Sequence, residues 1–175
     1  ENKVEHYKIM NPLVLLTGAA KCKNKEYLPG VKTDLMILQK LFAEDHRYRV
    51  HCTYDPDKPE TEMLTLSRLN NFLKMHFSNV TKKQSDYDSL IFVWCGHGRT
   101  THGEDILITS GDLFTCKTNV FLNKPKIFIK NTYQKDTQSQ QFNNKEADTL
   151  IIFPTASDKE MTSDKGSYFI RSFYS

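Results

Sequence analysis

The sequence predicts an α/β domain, a three-layer sandwich with a mostly parallel central sheet flanked by helices. Three observations lead there. Two short segments, Pro12 to Thr17 and Ser89 to Cys95, are apolar without interruption, as strands buried on both faces are, whereas half-exposed strands alternate. Between them lie two segments whose apolar residues recur at helical spacing. A chain of 175 residues, 38% hydrophobic and 26% charged, has the length and apolar content of one globular domain with its own core.

The elements follow in order. Pro12-Leu13-Val14-Leu15-Leu16-Thr17, closing on Gly18, reads as a central parallel strand. After a loop holding Leu28-Pro29-Gly30, Thr33 or Asp34 is placed to cap a helix, because short polar side chains accept from the first free N–H groups. Its apolar residues Leu35, Leu38, Leu41 and Phe42 share a face, and it should end near Asp45. Tyr48 to Tyr54 has strand composition, and Asp55-Pro56-Asp57 breaks it. A second helix is expected from Glu60 or Thr61, with Met63, Leu66, Leu69 or Asn70, Leu73 and Phe77 as its apolar set.

Ser89 to Cys95 is the third strand, ending at Gly96-His97-Gly98. Between Gly103 and Phe114, two strand-like pieces about Ser110-Gly111 predict a small surface hairpin. Lys126 to Asn131 is the fourth core strand. Lys135 to Lys145, whose one hydrophobic side chain is Phe142, reads as an exposed loop. Thr149 to Phe153 is a fifth strand, and Ser167 to Phe173 opens a last helix. A single domain over 1–175 is expected.

Composition excludes several function classes. The formal charge is +3 with basic and acidic residues interspersed, so no nucleic-acid partner is expected. No run approaches the roughly 18 apolar residues of a membrane span, and Glu1 to His6 lacks the apolar core of a secretory signal. Cys22, Cys52, Cys95 and Cys116 lie far apart, without zinc spacing or disulfide density, which predicts reduced thiols and a cytoplasmic location. No cofactor or metal is expected.

In an open parallel sheet, active groups collect at the carboxyl ends of strands. Two such ends stand out: Gly96-His97-Gly98 after the third strand and Asn131-Thr132-Tyr133 after the fourth. His97 is placed to act as a general base or acid near neutral pH. The flanking glycines let the chain turn sharply, and the Gly98 N–H can meet a developing oxyanion.

Lys124-Pro125-Lys126-Ile127-Phe128-Ile129-Lys130-Asn131-Thr132-Tyr133-Gln134 resembles the caspase segment that carries the nucleophile, Lys-Pro-Lys-aliphatic-Phe-aliphatic-x-Gln-Ala-Cys-Arg. Glu146-Ala147-Asp148, Thr155-Ala156 and Gly166-Ser167-Tyr168-Phe169 resemble the opening of the caspase small subunit, and Gly96-His97-Gly98 falls at the family's catalytic histidine. The resemblance to the caspase-like superfamily implies a cysteine endopeptidase scaffold active in cell-death signalling. It divides the chain into a large-subunit part at 1–134, a linker at 135–145 and a small-subunit part at 146–175. Its implied partner is a protein or peptide substrate, or an active caspase-like relative. The family pairs through an edge strand beyond the last helix, and the sequence given stops at Ser175, so dimerisation is left open.

The departures decide the expected activity. The mechanism needs a thiolate where this chain has Tyr133. A phenol with a pKa of about 10 is a poor nucleophile, and its bulk would fill the space of the scissile bond. The family's aspartate pocket has two arginines and a glutamine; here Leu28 aligns with the first arginine and Asn131 with the glutamine, and Ser157 to Lys165 holds no arginine. These two are the candidate substrate-binding positions. Leu28 to Asp34 looks closer to the metacaspase and paracaspase branches, which cleave after basic residues; Asp34 or Asp86 could line such a pocket, although Asp34 reads first as a helix cap. A pseudoprotease is therefore the leading expectation. Its alternatives are a peptidase using a displaced thiol, Cys95 or Cys116, and a plain interaction module of a longer chain.

Overall fold

A computed structural model of the protein describes residues 8–82, 86–101, 104–115, 121–133, 148–152 and 163–174. The expected loop at 135–145 lies outside them, as do Cys116 and Phe153.

Among the described residues five strands form a parallel sheet: β1 (Pro12–Ala19), β2 (Arg49–Cys52), β3 (Ser89–Thr101), β6 (Lys126–Tyr133) and β7 (Thr149–Ile152), side by side in the order β2-β1-β3-β6-β7. The far end of β3 continues into an antiparallel flap with β4 (Glu104–Ile108) and β5 (Leu113–Phe114). The expected hairpin is the β4–β5 pair, closed where the Thr109 N–H and hydroxyl both donate to the Asp112 carbonyl.

Among the described residues the α-helices are α1 (Gly30–Lys40), α2 (Leu66–Lys82) and α3 (Tyr168–Tyr174). The chain steps from β1 to β2 on one side, then crosses back to β3 on the other. Right-handed crossovers in opposite directions put α1 and α2 on opposite faces. Along the strands, the residues therefore alternate between two cores. Val14, Leu16, Ile91, Val93, Cys95 and Ile129 pack under α1 and α3. Leu13, Leu15, Leu90, Phe92, Trp94 and Phe128 pack under α2.

Three boundaries differ from the sequence expectation, each for a local reason. Helix α1 starts at Gly30, not after Thr33, because the Leu28 and Pro29 carbonyls already accept from Val31 and Lys32. Asp34 is thus a buried residue of the second turn and not a cap. The helix closes with a π-helical turn, Leu41–Asp45, as expected near Asp45. The second helix is delayed: Pro59–Glu62 forms a 3-10 turn, and α2 begins at Leu66 with the Thr65 hydroxyl accepting from Arg68 N–H. Leu64, not Met63, therefore enters the core. No helix among the described residues is long and apolar enough to cross a membrane.

His76 on α2 and His51 on the edge strand β2 stack with ring centroids 3.9 Å apart, and Phe72 meets His76 edge-on. Burial, and then the neighbouring His51, pushes the His76 pKa down to about 4. The unfolded chain takes up this proton near pH 6.5 and the folded chain only near 4, so stability is lost as pH falls through that window. His76→Phe keeps the packing and removes the proton. Urea unfolding between pH 4 and 7 should show a flatter acid limb for this variant than for the wild type; an unchanged limb would count against the account.

Candidate functional site

Chain order places the site. β1 leads to β2 on one side while β3 lies on the other, so the carboxyl ends of β1 and β3 flank the point where strand order reverses. Ligand sites of open α/β sheets form at such points. The loop after β1, residues 20–29, and His97 on β3 both lie there.

His97 is buried, and its Nε2 lies 2.8 Å from the backbone carbonyl oxygen of Glu26. A carbonyl oxygen only accepts, so Nε2 carries the proton and Nδ1 is the basic nitrogen of the neutral ring. The backbone at His97 is also held: the Trp94 indole N–H donates to the His97 backbone carbonyl at 3.2 Å. The Glu26 contact is made by a backbone atom, and no residue type in the sequence announces it.

The glycines act differently from expectation. The chain does not turn at Gly96-His97-Gly98; β3 runs through it, because β4 continues the ladder and pairs Leu107 with Gly98. Gly96 has φ +149°, a conformation that residues with a side chain rarely adopt. Gly98 allows a close strand approach, since a Cβ there would stand 2.6 Å from the Thr132 methyl.

The β3–β6 pairing runs in parallel from Leu90 with Lys126 to His97 with Tyr133. His97 and Tyr133 are register partners on adjacent strands, with Gly96 opposite Thr132. The two positions singled out in the sequence are thus neighbours at the same sheet end.

The other candidates are distributed unevenly. Leu28 is fully buried in the core under α1. Asn131 is also fully buried: its Nδ2 donates to Asp34 Oδ2 at 2.8 Å and to Ser167 Oγ at 3.1 Å. Asp34 Oδ1 accepts from the Ser167 N–H at 2.7 Å, and the Ser167 hydroxyl in turn caps α3 by accepting from Ile170 N–H. α1, β6 and α3 are therefore pinned together beneath the site by one carboxylate. Burial pushes the Asp34 pKa up to about 6, against the lowering effect of its bonds from Ser167 and Asn131. The Asn131 Oδ1 has no partner among the described residues. Asp86 precedes β3 and lies at the opposite end of the sheet from His97, for the strand from Ser89 to His97 alone spans about 26 Å at roughly 3.3 Å per residue.

The described thiols are poorly suited to chemistry. Cys95 is fully buried in the core under α1, and burial raises its pKa well above the ordinary range. Burial likewise pushes Cys22 and Cys52 up to about 11. Among the described residues no group of three or more His, Cys, Asp or Glu could hold a metal ion.

The family model described as "Caspase domain" matches residues 12–175. Solved structures with a similar fold include caspase-1 from Spodoptera frugiperda, with TM-score 0.65 and 18% identity over 99% of this chain and 73% of that one. The Drosophila initiator caspase Dronc aligns with TM-score 0.58 and 18% identity over 95% of this chain and 65% of that one. Pro-sf-caspase-1 aligns with TM-score 0.61 and 15% identity over 95% and 72%. At these identities the likeness is one of fold, and the chain spans between 65% and 73% of the length of these structures. No curated protein sequence matches the chain significantly.

Proposed function

Since the chain belongs to the caspase-domain family, we propose that it is a regulatory pseudoprotease, which binds a protein or peptide segment, or an active relative, beside His97 without cleaving it. The observation that carries this reading is the register of β3 and β6: the partner position of the carbonyl-held imidazole is Tyr133. Acyl transfer in this family starts from a thiolate activated by the histidine. A tyrosine there supplies neither an easily formed anion nor a soft nucleophile. The role in cell-death signalling and the cytoplasmic location implied by the family belong to the same proposal.

The competing reading, a peptidase with a displaced thiol, draws no support from Cys22, Cys52 or Cys95, whose thiols are held protonated by burial. Cys116 is its remaining candidate. A plain interaction module differs from the leading proposal only in leaving the neighbourhood of His97 unused.

The purified domain should give no turnover of a mixed peptide library above buffer. It should take no adduct from a peptidyl electrophile faster than free cysteine does, as read by mass spectrometry. Turnover that disappears on His97→Ala, or rapid labelling of Cys116, would overturn the proposal.

A further inference from the structure

The loop that holds His97 is itself held by charge. Glu62, in the 3-10 turn before α2, accepts from Lys21 Nζ at 2.7 Å, from Lys32 Nζ at 3.1 Å and from the Tyr27 hydroxyl at 3.1 Å. Both ammonium groups also lie over the Tyr27 ring, 5.4 and 5.5 Å from its centroid. Lys21 stands just after β1 and Lys32 in the first turn of α1, where no acidic side chain competes.

Two cations share one carboxylate, so among the described residues this cluster keeps one positive charge. All three groups stay ionised at neutral pH. The bonds to Glu62 raise Lys21, and those to Tyr27 and Glu62 raise Lys32. Glu62 is pushed up by burial, yet ends below its usual range because Lys21, Lys32 and Tyr27 bond it. The lysine side chains are 50% and 27% exposed while Glu62 is 11% exposed, so the cationic side of the cluster is the reachable one. Tyr27 directly follows Glu26, whose carbonyl holds His97, and the cluster therefore borders the site.

We propose that Lys21 and Lys32, both beside the Tyr27 ring, are a docking point for an acidic segment of a partner protein, one of whose carboxylates bridges the two ammonium groups opposite Glu62. Glu62 already shows that one carboxylate reaches both lysines. The tyrosine ring offers apolar contact to the methylene groups of such a side chain. A nucleic-acid backbone fits less well, because it needs a continuous basic stripe, whereas one surplus charge beside an aromatic ring suits a single carboxylate. The inference rests on the reading of this neighbourhood as a surface for protein segments and adds the chemistry of the segment.

Fluorescence anisotropy of the whole chain with labelled hexaglutamate and hexaglutamine at low salt tests it. Hexaglutamate should bind about tenfold tighter or more. Lys21→Ala with Lys32→Ala should abolish most of that preference. Lys23→Ala with Lys25→Ala, the same charge change in the same loop, should leave most of it. Glu62→Gln, which frees both ammonium groups, should tighten binding several-fold. Equal losses in the two double variants would mean diffuse attraction and overturn the proposal. So would labelled hexathymidylate binding as tightly as hexaglutamate with the same dependence on Lys21 and Lys32. None of these variants alters His97 or Tyr133, so the peptidase and labelling assays can fail or succeed independently.

Discussion

Asp34→Asn is expected to stabilise the domain above pH 6 and to leave it nearly unchanged at pH 4. The carboxyl is fully buried between α1, β6 and α3, and burial lifts its pKa from 3.8 to about 6. Between those values the unfolded chain has released a proton that the folded chain keeps, so rising pH favours unfolding. Integrated over the window, the folded state loses roughly 2.4 kcal/mol by pH 7 relative to pH 4. Asparagine keeps an acceptor for the Ser167 N–H and carries no charge. Its amide then faces the Asn131 Nδ2, a conflict relieved when the Asn131 amide turns over and presents its Oδ1, which has no partner among the described residues in the wild type. Urea midpoints measured between pH 4.5 and 7.5 check the account. The difference between variant and wild type should grow with pH, and a difference flat in pH would rule out a buried ionised Asp34. The His76 effect runs the other way in the same window and is common to both proteins, so it cancels in the comparison.

Asp34 also shows what the sequence could not display. Thr-Asp before an apolar run is a cap signature, and only the long-range partners Asn131 and Ser167 make Asp34 an interior group. Continuous apolar runs, by contrast, identified β1 and β3 directly, because burial on both faces leaves no place for polar alternation. Glycines on both sides of His97 suggested a turn, but a strand can absorb them when a neighbour such as β4 extends the ladder. His97 and Tyr133 were legible as strand ends, and their juxtaposition follows from strand order. The Glu26 carbonyl was not legible, since every residue has one. Neither was the Lys21, Tyr27, Lys32 and Glu62 cluster, whose members are up to 41 residues apart in sequence, Lys21 to Glu62, and meet only when the turn before α2 docks on the loop after β1.

The largest effect is expected for Tyr133→Cys. In the β3–β6 register the introduced cysteine is the strand partner of His97, whose proton-bearing Nε2 is already committed to Glu26 and whose Nδ1 is the basic nitrogen. Such a base draws the proton from a thiol and leaves a thiolate next to an imidazolium, the pairing that lowers cysteine pKa in catalytic sites. A positioned general base contributes some 10²- to 10⁴-fold. Labelling of the introduced thiol by a peptidyl electrophile should therefore exceed that of free cysteine by about this factor at pH 6 to 7, where free thiols are protonated. Peptide turnover should appear with it. Adding His97→Ala should return both to the background. Labelling is the safer readout, because Leu28 and Asn131 are buried and leave substrate affinity to other groups. An introduced thiol that reacts no faster than free cysteine, with or without His97, would show that register alone does not make a dyad here and would favour the plain interaction module. A fast, histidine-dependent reaction would mean that one side chain silences an otherwise assembled site, which is what a regulatory pseudoprotease derived from an active peptidase requires.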